Sequence, residues 1–262
     1  MSEATIEPGD ERIDWRGQAI DCASCVHFGM RDAGGCRAGH ACVEDRYARR
    51  IDRFFDWNPG LGSVYVAHPH FEVRAIAAKH ADVFKLPGLL NDPEEAVRWN
   101  AVRRLPLRYK KMLRRDPHRE VRIRVATQLD DADLIAMMDD TDYYVRLVVA
   151  RRIAPALLGP LVHDEETEVR RIVVARVAPS LLAVMVHDAD PLVRLGAVER
   201  QSHDQIGPRA DDGDWRVRHA VAERTRDHAV LRRLANDEDA LVAEAATGRL
   251  AELEPAKAEA AS

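Results

Sequence analysis

The sequence predicts an all-α solenoid of short repeats preceded by a small cysteine-rich module. Three observations carry this: a Val-Arg pair that returns every 24 residues, an apolar stripe at helical spacing inside each copy, and four cysteines confined to the first 42 of 262 residues. A fixed period of this length marks stacked supersecondary units, none of which can bury its apolar face alone.

The pair stands at Val73-Arg74, Val97-Arg98, Val121-Arg122, Val145-Arg146, Val169-Arg170, Val193-Arg194 and Val217-Arg218. Val242 continues the series after a one-residue insertion, with Ala243 in place of the Arg. Five residues before each Val lies an Asp (Asp92, Asp116, Asp140, Asp164, Asp188, Asp212, Asp237), with His68 in the first copy. Asp92-Pro93 and Asp116-Pro117 read as a helix N-cap followed by Pro at the first helical position, and Glu95 sits at capping-box spacing from Asp92. Val121, Val125 and Leu129 fall at i, i+4 and i+8, as do Val145, Val149, Ile153 and Val169, Val173, Val177, which predicts one buried helical face. Pro106, Pro155 and Pro179 stop the helix.

The rest of each copy carries a short apolar group, such as Leu157, Leu158, Leu161 and Val162, or Leu181, Leu182, Met185 and Val186. About a dozen residues, turns included, leave room for one or two helical turns, α or 3₁₀, rather than a second full helix. A strand is disfavoured, because apolar alternation is missing and Pro160 and Pro208 interrupt the segment.

Charges follow the same period. Lys and Arg total 39 against 44 Asp and Glu, a net charge of −5. A second Arg column lies seven residues after the Val: Arg104, Arg152, Arg176, Arg200, Arg224 and Arg249. One reading is an electropositive ladder for phosphates or an acidic partner. The other is structural, with each Asp capping its own helix and each Arg bridging to a neighbouring copy. The structural reading is preferred, because the Asp column offsets the Arg charge.

The cysteines form the pattern Cys22-x2-Cys25-x10-Cys36-x5-Cys42 within a glycine-rich stretch. Four thiols so close can converge on tetrahedral zinc or on an iron–sulfur cluster. The wide second spacing favours the larger occupant, while zinc and free or catalytic thiols stay open as alternatives. His27 and His40 lie in the same loop and are read as shields, since four cysteines already close a coordination shell. Tyr47, Ile51, Phe54 and Phe55 share a helical face suited to burial against the solenoid end. Arg46, Arg49, Arg50 and Arg53 either stabilise an anionic cluster or form an ordinary solvated face. The turn-rich NPGLGS stretch near residues 58–66 marks the predicted boundary. The expected organisation is a module at 1–62, a solenoid of about eight repeats at 63–251 and a flexible tail at 252–262.

No apolar run reaches membrane-spanning length, and the acidic leader MSEATIEPGDERIDW lacks the apolar core of a signal peptide. A reducing cytoplasm is therefore expected. No G-x-S-x-G, P-loop, G-x-G-x-x-G or H-E-x-x-H occurs, and the carboxylates are periodic, so no enzymatic activity is expected.

With its Asp…Val-Arg period, as in DPHREVRIRVA over 116–126, and its four-cysteine leader, the chain resembles the leucine-rich repeat variant proteins that carry an N-terminal iron–sulfur module. The resemblance covers essentially the whole chain. It implies alternating α- and 3₁₀-helices in a right-handed superhelix without β-structure, and a [4Fe–4S] cluster ligated by Cys22, Cys25, Cys36 and Cys42. It also implies a link with nitrogen-fixing bacteria, without naming a biochemical role. Segments such as DPEEAVRWNAVRRL are more weakly similar to HEAT-type repeats, but those are ~40 residues long and the strict shorter period counts against them. The expected function is a cluster-binding repeat protein that docks a protein partner through its solenoid, with electron transfer or redox or oxygen sensing at the cluster. A nucleic-acid-binding module and a purely structural adaptor, either with structural zinc, are the alternatives.

Overall fold

The structure, a computed structural model, describes residues 12–253. The expectations for the leader at 1–11 and for most of the tail lie outside the described residues; Glu252 and Leu253 still belong to the last helix. The chain packs as two compact units, Met1–Leu129 and Asp130–Ser262.

The first unit contains α1 (Phe28–Asp32), α2 (Ala48–Trp57), α3 (Phe71–His80), α4 (Glu95–Val102), α5 (Leu107–Met112) and α6 (Arg119–Ala126). The second contains α7 (Asp131–Ile135), α8 (Tyr143–Arg152), α9 (Thr167–Arg176), α10 (Leu182–Met185), α11 (Pro191–Arg200), α12 (Trp215–Arg224), α13 (His228–Leu234) and α14 (Ala240–Leu253). Among the described residues there is no strand, only three isolated β-bridges in the cysteine-rich stretch. None of the described helices is long and apolar enough to cross a membrane.

The long helices α3, α4, α6, α8, α9, α11 and α12 begin at residues 71, 95, 119, 143, 167, 191 and 215, so the sequence period is the structural period. Between them run short pieces as expected: 3₁₀ turns at Val83–Asn91, Pro155–Leu157, Pro179–Leu181 and Gly207–Asp211, or one to two α turns at α5, α7, α10 and α13. The Val column (Val73, Val97, Val121, Val145, Val169, Val193, Val217, Val242) is fully buried, and so is the residue four further on in every copy. Leu158, Leu161, Leu182 and Met185 cover that stripe from the short segments.

The helix starts differ from expectation. The column aspartates are not N-caps: Glu94, His118, Asp142, Glu166, Asp190 and Asp214, two residues later, hold that place. Pro93 and Pro117 precede the helices, and Glu95 is the first residue of α4 rather than part of a capping box. Each column carboxylate instead accepts the backbone N–H two residues on, as Asp164 does from Glu166 at 2.9 Å, forming an Asx-turn that delays the helix.

The reason is that the carboxylate is committed elsewhere. Arg74, Arg98, Arg146, Arg170, Arg194 and Arg218 each grip the column Asp of the following copy through Nε and Nη2. The contacts are 2.7 and 2.9 Å for Arg146 on Asp164, and 2.7 and 2.6 Å for Arg98 on Asp116. The free Nη1 donates to a carbonyl in the turn of its own copy, as Arg146 does to Asp140 at 2.8 Å. The second Arg column works at the other helix end. Arg104 donates to the carbonyls of Ala78 and Ala81, Arg176 to those of Ala150 and Ile153, Arg200 to those of Val174 and Val177, and Arg224 to those of Val198 and Gln201. Each cation thereby satisfies the orphan carbonyls, and the negative dipole end, of the preceding long helix.

Two outcomes follow. Arg146→Ala leaves the Asp164 carboxylate, only 3% exposed, without its partner; urea unfolding should show a loss of about 3–5 kcal/mol. Arg216→Ala, which breaks a pair within one helix turn whose Arg is 42% exposed, should leave the urea midpoint close to that of the wild type. In acid, the Arg218 fork holds Asp237 below the ordinary carboxylate range, and at Asp92 the penalty of burial is outweighed by hydrogen bonds from Arg74 and the Glu94 amide. A folded pKa below the unfolded value gives stability that is complete above about pH 5 and lost as pH falls through the folded pKa. Burial holds the His68 pKa below the ordinary histidine value, so the urea midpoint should decline mildly from about pH 6.5 to pH 5 and drop steeply below about pH 4 as the carboxylates protonate.

Candidate metal centre

The cysteine-rich stretch has little regular structure, and specific turns place its thiols. The Asp21 carboxylate accepts the amides of Ala23 at 2.9 Å and Ser24 at 3.4 Å, folding the chain between Cys22 and Cys25. Cys25 N–H donates to the Cys22 carbonyl, and Phe28 N–H to the Cys25 carbonyl, leading into α1. Gly34, at φ +77°, reverses the chain after α1. Cys36 and Cys42 are then joined by a hairpin in which Arg37 and Ala41 exchange two backbone hydrogen bonds of 2.8 Å. That turn passes through Gly39 at φ +75°, a conformation that costs other residues about 1–2 kcal/mol. The hairpin closes the spacing that looked loose in the sequence.

The thiols share one electrostatic environment. Burial pushes the Cys42 thiol up to about 12; the Glu44 amide opposes this, and Asp45, Cys25 and Cys22 add to it. Cys36 is raised by burial and then by Cys25 and Cys22, with Arg31 acting against them. Cys42 is buried, and the other three are half-buried. Cys36 and Cys42, soft donors that burial and the neighbouring thiols keep from ionising, are joined by Cys22 and Cys25 in a donor set that a thiophilic, positively charged occupant would turn into thiolates. Among the described residues no three His, Cys, Asp or Glu side chains close around a single metal ion.

Both loop histidines have other engagements. His27 Nε2 is hydrogen-bonded to the Tyr65 hydroxyl, and its ring lies 5.3 Å from that of Phe54. His40 Nδ1 meets Arg53 Nη1 at 3.0 Å and its ring faces Trp57. Of the four candidate arginines, Arg50 is buried and paired with the fully buried Asp45 at 3.0 Å, while Arg46 and Arg50 both lie over the Tyr47 ring. Arg53 is held by the His40 carbonyl. The guanidinium that acts on a thiol is Arg31, which the helix periodicity of α2 does not reveal.

Ile51, Phe54 and Phe55 are fully buried as expected, but Tyr47 is the N-cap of α2 and stays 40% exposed. They form one cluster with Val43, Val73, Ile76 and Ala77, against which Met30, Cys36, Leu61 and Tyr65 pack. A single core thus runs across residue 62. Trp15 stacks on His70 at 5.3 Å and donates to Glu44, whose carboxylate lies 4.0 Å from His68. The module thereby covers the first copy, where the column Asp is missing.

A helical solenoid of 24-residue copies fronted by a four-cysteine module defines the class: an iron–sulfur repeat protein. A family model described as "LRV protein FeS4 cluster" matches residues 12–63. A solved structure described as "a leucine-rich repeat variant with a novel repetitive protein structural motif" is 38% identical, with a TM-score of 0.79, over 88% of this chain and 98% of that one. The chain belongs to the leucine-rich repeat variant family. A curated Rhodobacter capsulatus protein, described as "Uncharacterized 27.7 kDa protein in nifB 3'region", is 49% identical over 98 residues. That match spans 37% of this chain and 40% of the relative's length.

Gly39→Ala forces the Cys36–Cys42 hairpin out of its turn and should lower the unfolding free energy by about 1–2 kcal/mol. Gly29→Ala, inside α1 with nothing within 4 Å of the added methyl, should be neutral or stabilising, with urea unfolding as the measurement for both variants.

Proposed function

We propose that Cys22, Cys25, Cys36 and Cys42 hold a [4Fe–4S] cluster, and that the protein is a cytoplasmic redox-responsive scaffold docking a protein partner through its solenoid. The observation that carries the reading is the iron–sulfur family-model match over residues 12–63, which spans all four cysteines; Cys22 and Cys25 also act electrostatically on both Cys36 and Cys42. When bound, such a group supplies one-electron chemistry. The chain's part is to orient four sulfurs, to shield them with the Phe54–Tyr65 core and to keep Arg31 beside Cys36. With all four thiols spent on holding the group, exchange of electrons or sensing of oxygen fits better than Lewis-acid catalysis, and no enzymatic role is assigned.

Most of the arginines that motivated a nucleic-acid alternative, such as Arg146 and Arg200, are engaged with aspartates or helix ends of neighbouring copies. A curated relative described as "in nifB 3'region" makes nitrogen-fixing physiology the setting in which to seek the partner.

Anaerobic purification should yield brown protein with about four irons and four sulfides per chain, EPR-active on reduction. Cys36→Ser or Cys42→Ser should lower both iron and sulfide. Stoichiometric zinc without sulfide would overturn the proposal.

A further inference from the structure

A hydrogen bond that joins the cysteine loop to the solenoid is made by His27 and Tyr65. The His27 backbone amide donates to Cys25 Sγ at 3.4 Å, and its carbonyl oxygen lies 3.8 Å from Cys36 Sγ. One residue therefore brackets two of the four thiols with its main chain. Its side chain is anchored from outside the loop, by the hydroxyl of Tyr65 in the 3₁₀ turn Tyr65–Ala67 that leads into α3. Tyr65 is fixed in turn. Its ring lies 5.7 Å from Phe55 and 6.3 Å from Phe54, both edge-on, and 5.8 Å from His68. The neighbours of His27, Val26 at 86% and Phe28 at 42% exposure, provide no comparable anchor.

We propose that Tyr65 is a positioning residue for the metal centre, acting through His27. By locking the imidazole, it holds the His27 peptide in register with Cys25 and Cys36 and so maintains the N–H···S bond. Hydrogen bonds to ligand sulfur stabilise the more negative, reduced form of a thiolate-bound cluster and raise its potential. The inference rests on the cluster reading above. It adds that a residue of the solenoid, outside the cysteine loop, sets the properties of the centre.

The test uses the full chain, purified anaerobically, as wild type, Tyr65→Phe, His27→Phe and the double variant. Tyr65→Phe keeps the ring and its packing and removes only the hydroxyl. Redox titration followed by EPR should give a lower potential for Tyr65→Phe at wild-type iron content. Iron release to a chelator should be several-fold faster, with the helical circular dichroism unchanged. Because Tyr65 acts through His27, the double variant should shift no further than His27→Phe alone. A Tyr65→Phe protein with full iron, wild-type potential and wild-type release rate overturns the inference and leaves the cluster reading intact. Additive shifts in the double variant overturn it too, since they show that Tyr65 acts independently of His27. Wild-type protein without iron and sulfide overturns both.

Discussion

The structure depends on a buried fork between one guanidinium and one carboxylate, repeated from copy to copy. In Arg98–Asp116 and Arg146–Asp164 both partners are almost fully withdrawn from water. Such withdrawal is tolerable only when every donor and lone pair finds a partner. Here Nε and Nη2 bind the carboxylate, Nη1 takes a turn carbonyl, and the carboxylate also accepts a backbone amide. That multiplicity fixes register. A copy of 24 residues has a thin aliphatic core of Val, Ala and Leu, whose packing alone is forgiving of small slips. The fork is directional, and together with the second Arg column it ties each copy to its neighbour in one register.

The period, the helical stripe and the shortness of the second segment were all legible in the sequence, because they are local properties of Val, Pro and chain length. The start of each helix was not. Asp92 beside Pro93 has the local signature of a cap, and only a guanidinium 18 residues earlier diverts it into an Asx-turn. The second Arg column was visible as a column, but its purpose depends on the carbonyls of the preceding helix, which no single copy contains.

The candidate metal centre divides the same way. Four cysteines in one glycine-rich loop are a local pattern and read directly as a ligand set. The means of bringing Cys36 to Cys42 is the Arg37–Ala41 hairpin, for which Gly39 was the only sequence signal. The role of Tyr65 is set by a contact 38 residues away in the chain, and those of Arg31 and Asp45 by turns that carry no motif. Arg50 lies among the arginines that seemed suited to an anionic cluster, and it serves the module's own Asp45 instead.

The core shared by α2 and α3 has a mechanical consequence. In a solenoid each copy exchanges energy with its immediate neighbours alone, so a disturbance is handed on stepwise rather than broadcast. Phe54 and Phe55 on one side, and Val73, Ile76 and Ala77 on the other, belong to a single cooperative unit that also packs on Cys36. Loosening the cysteine loop therefore loosens the first rung of the solenoid in the same event, and α4, which packs on α3, is the next to feel it. The state of the thiol pocket is thus written into the local stability of the adjoining surface.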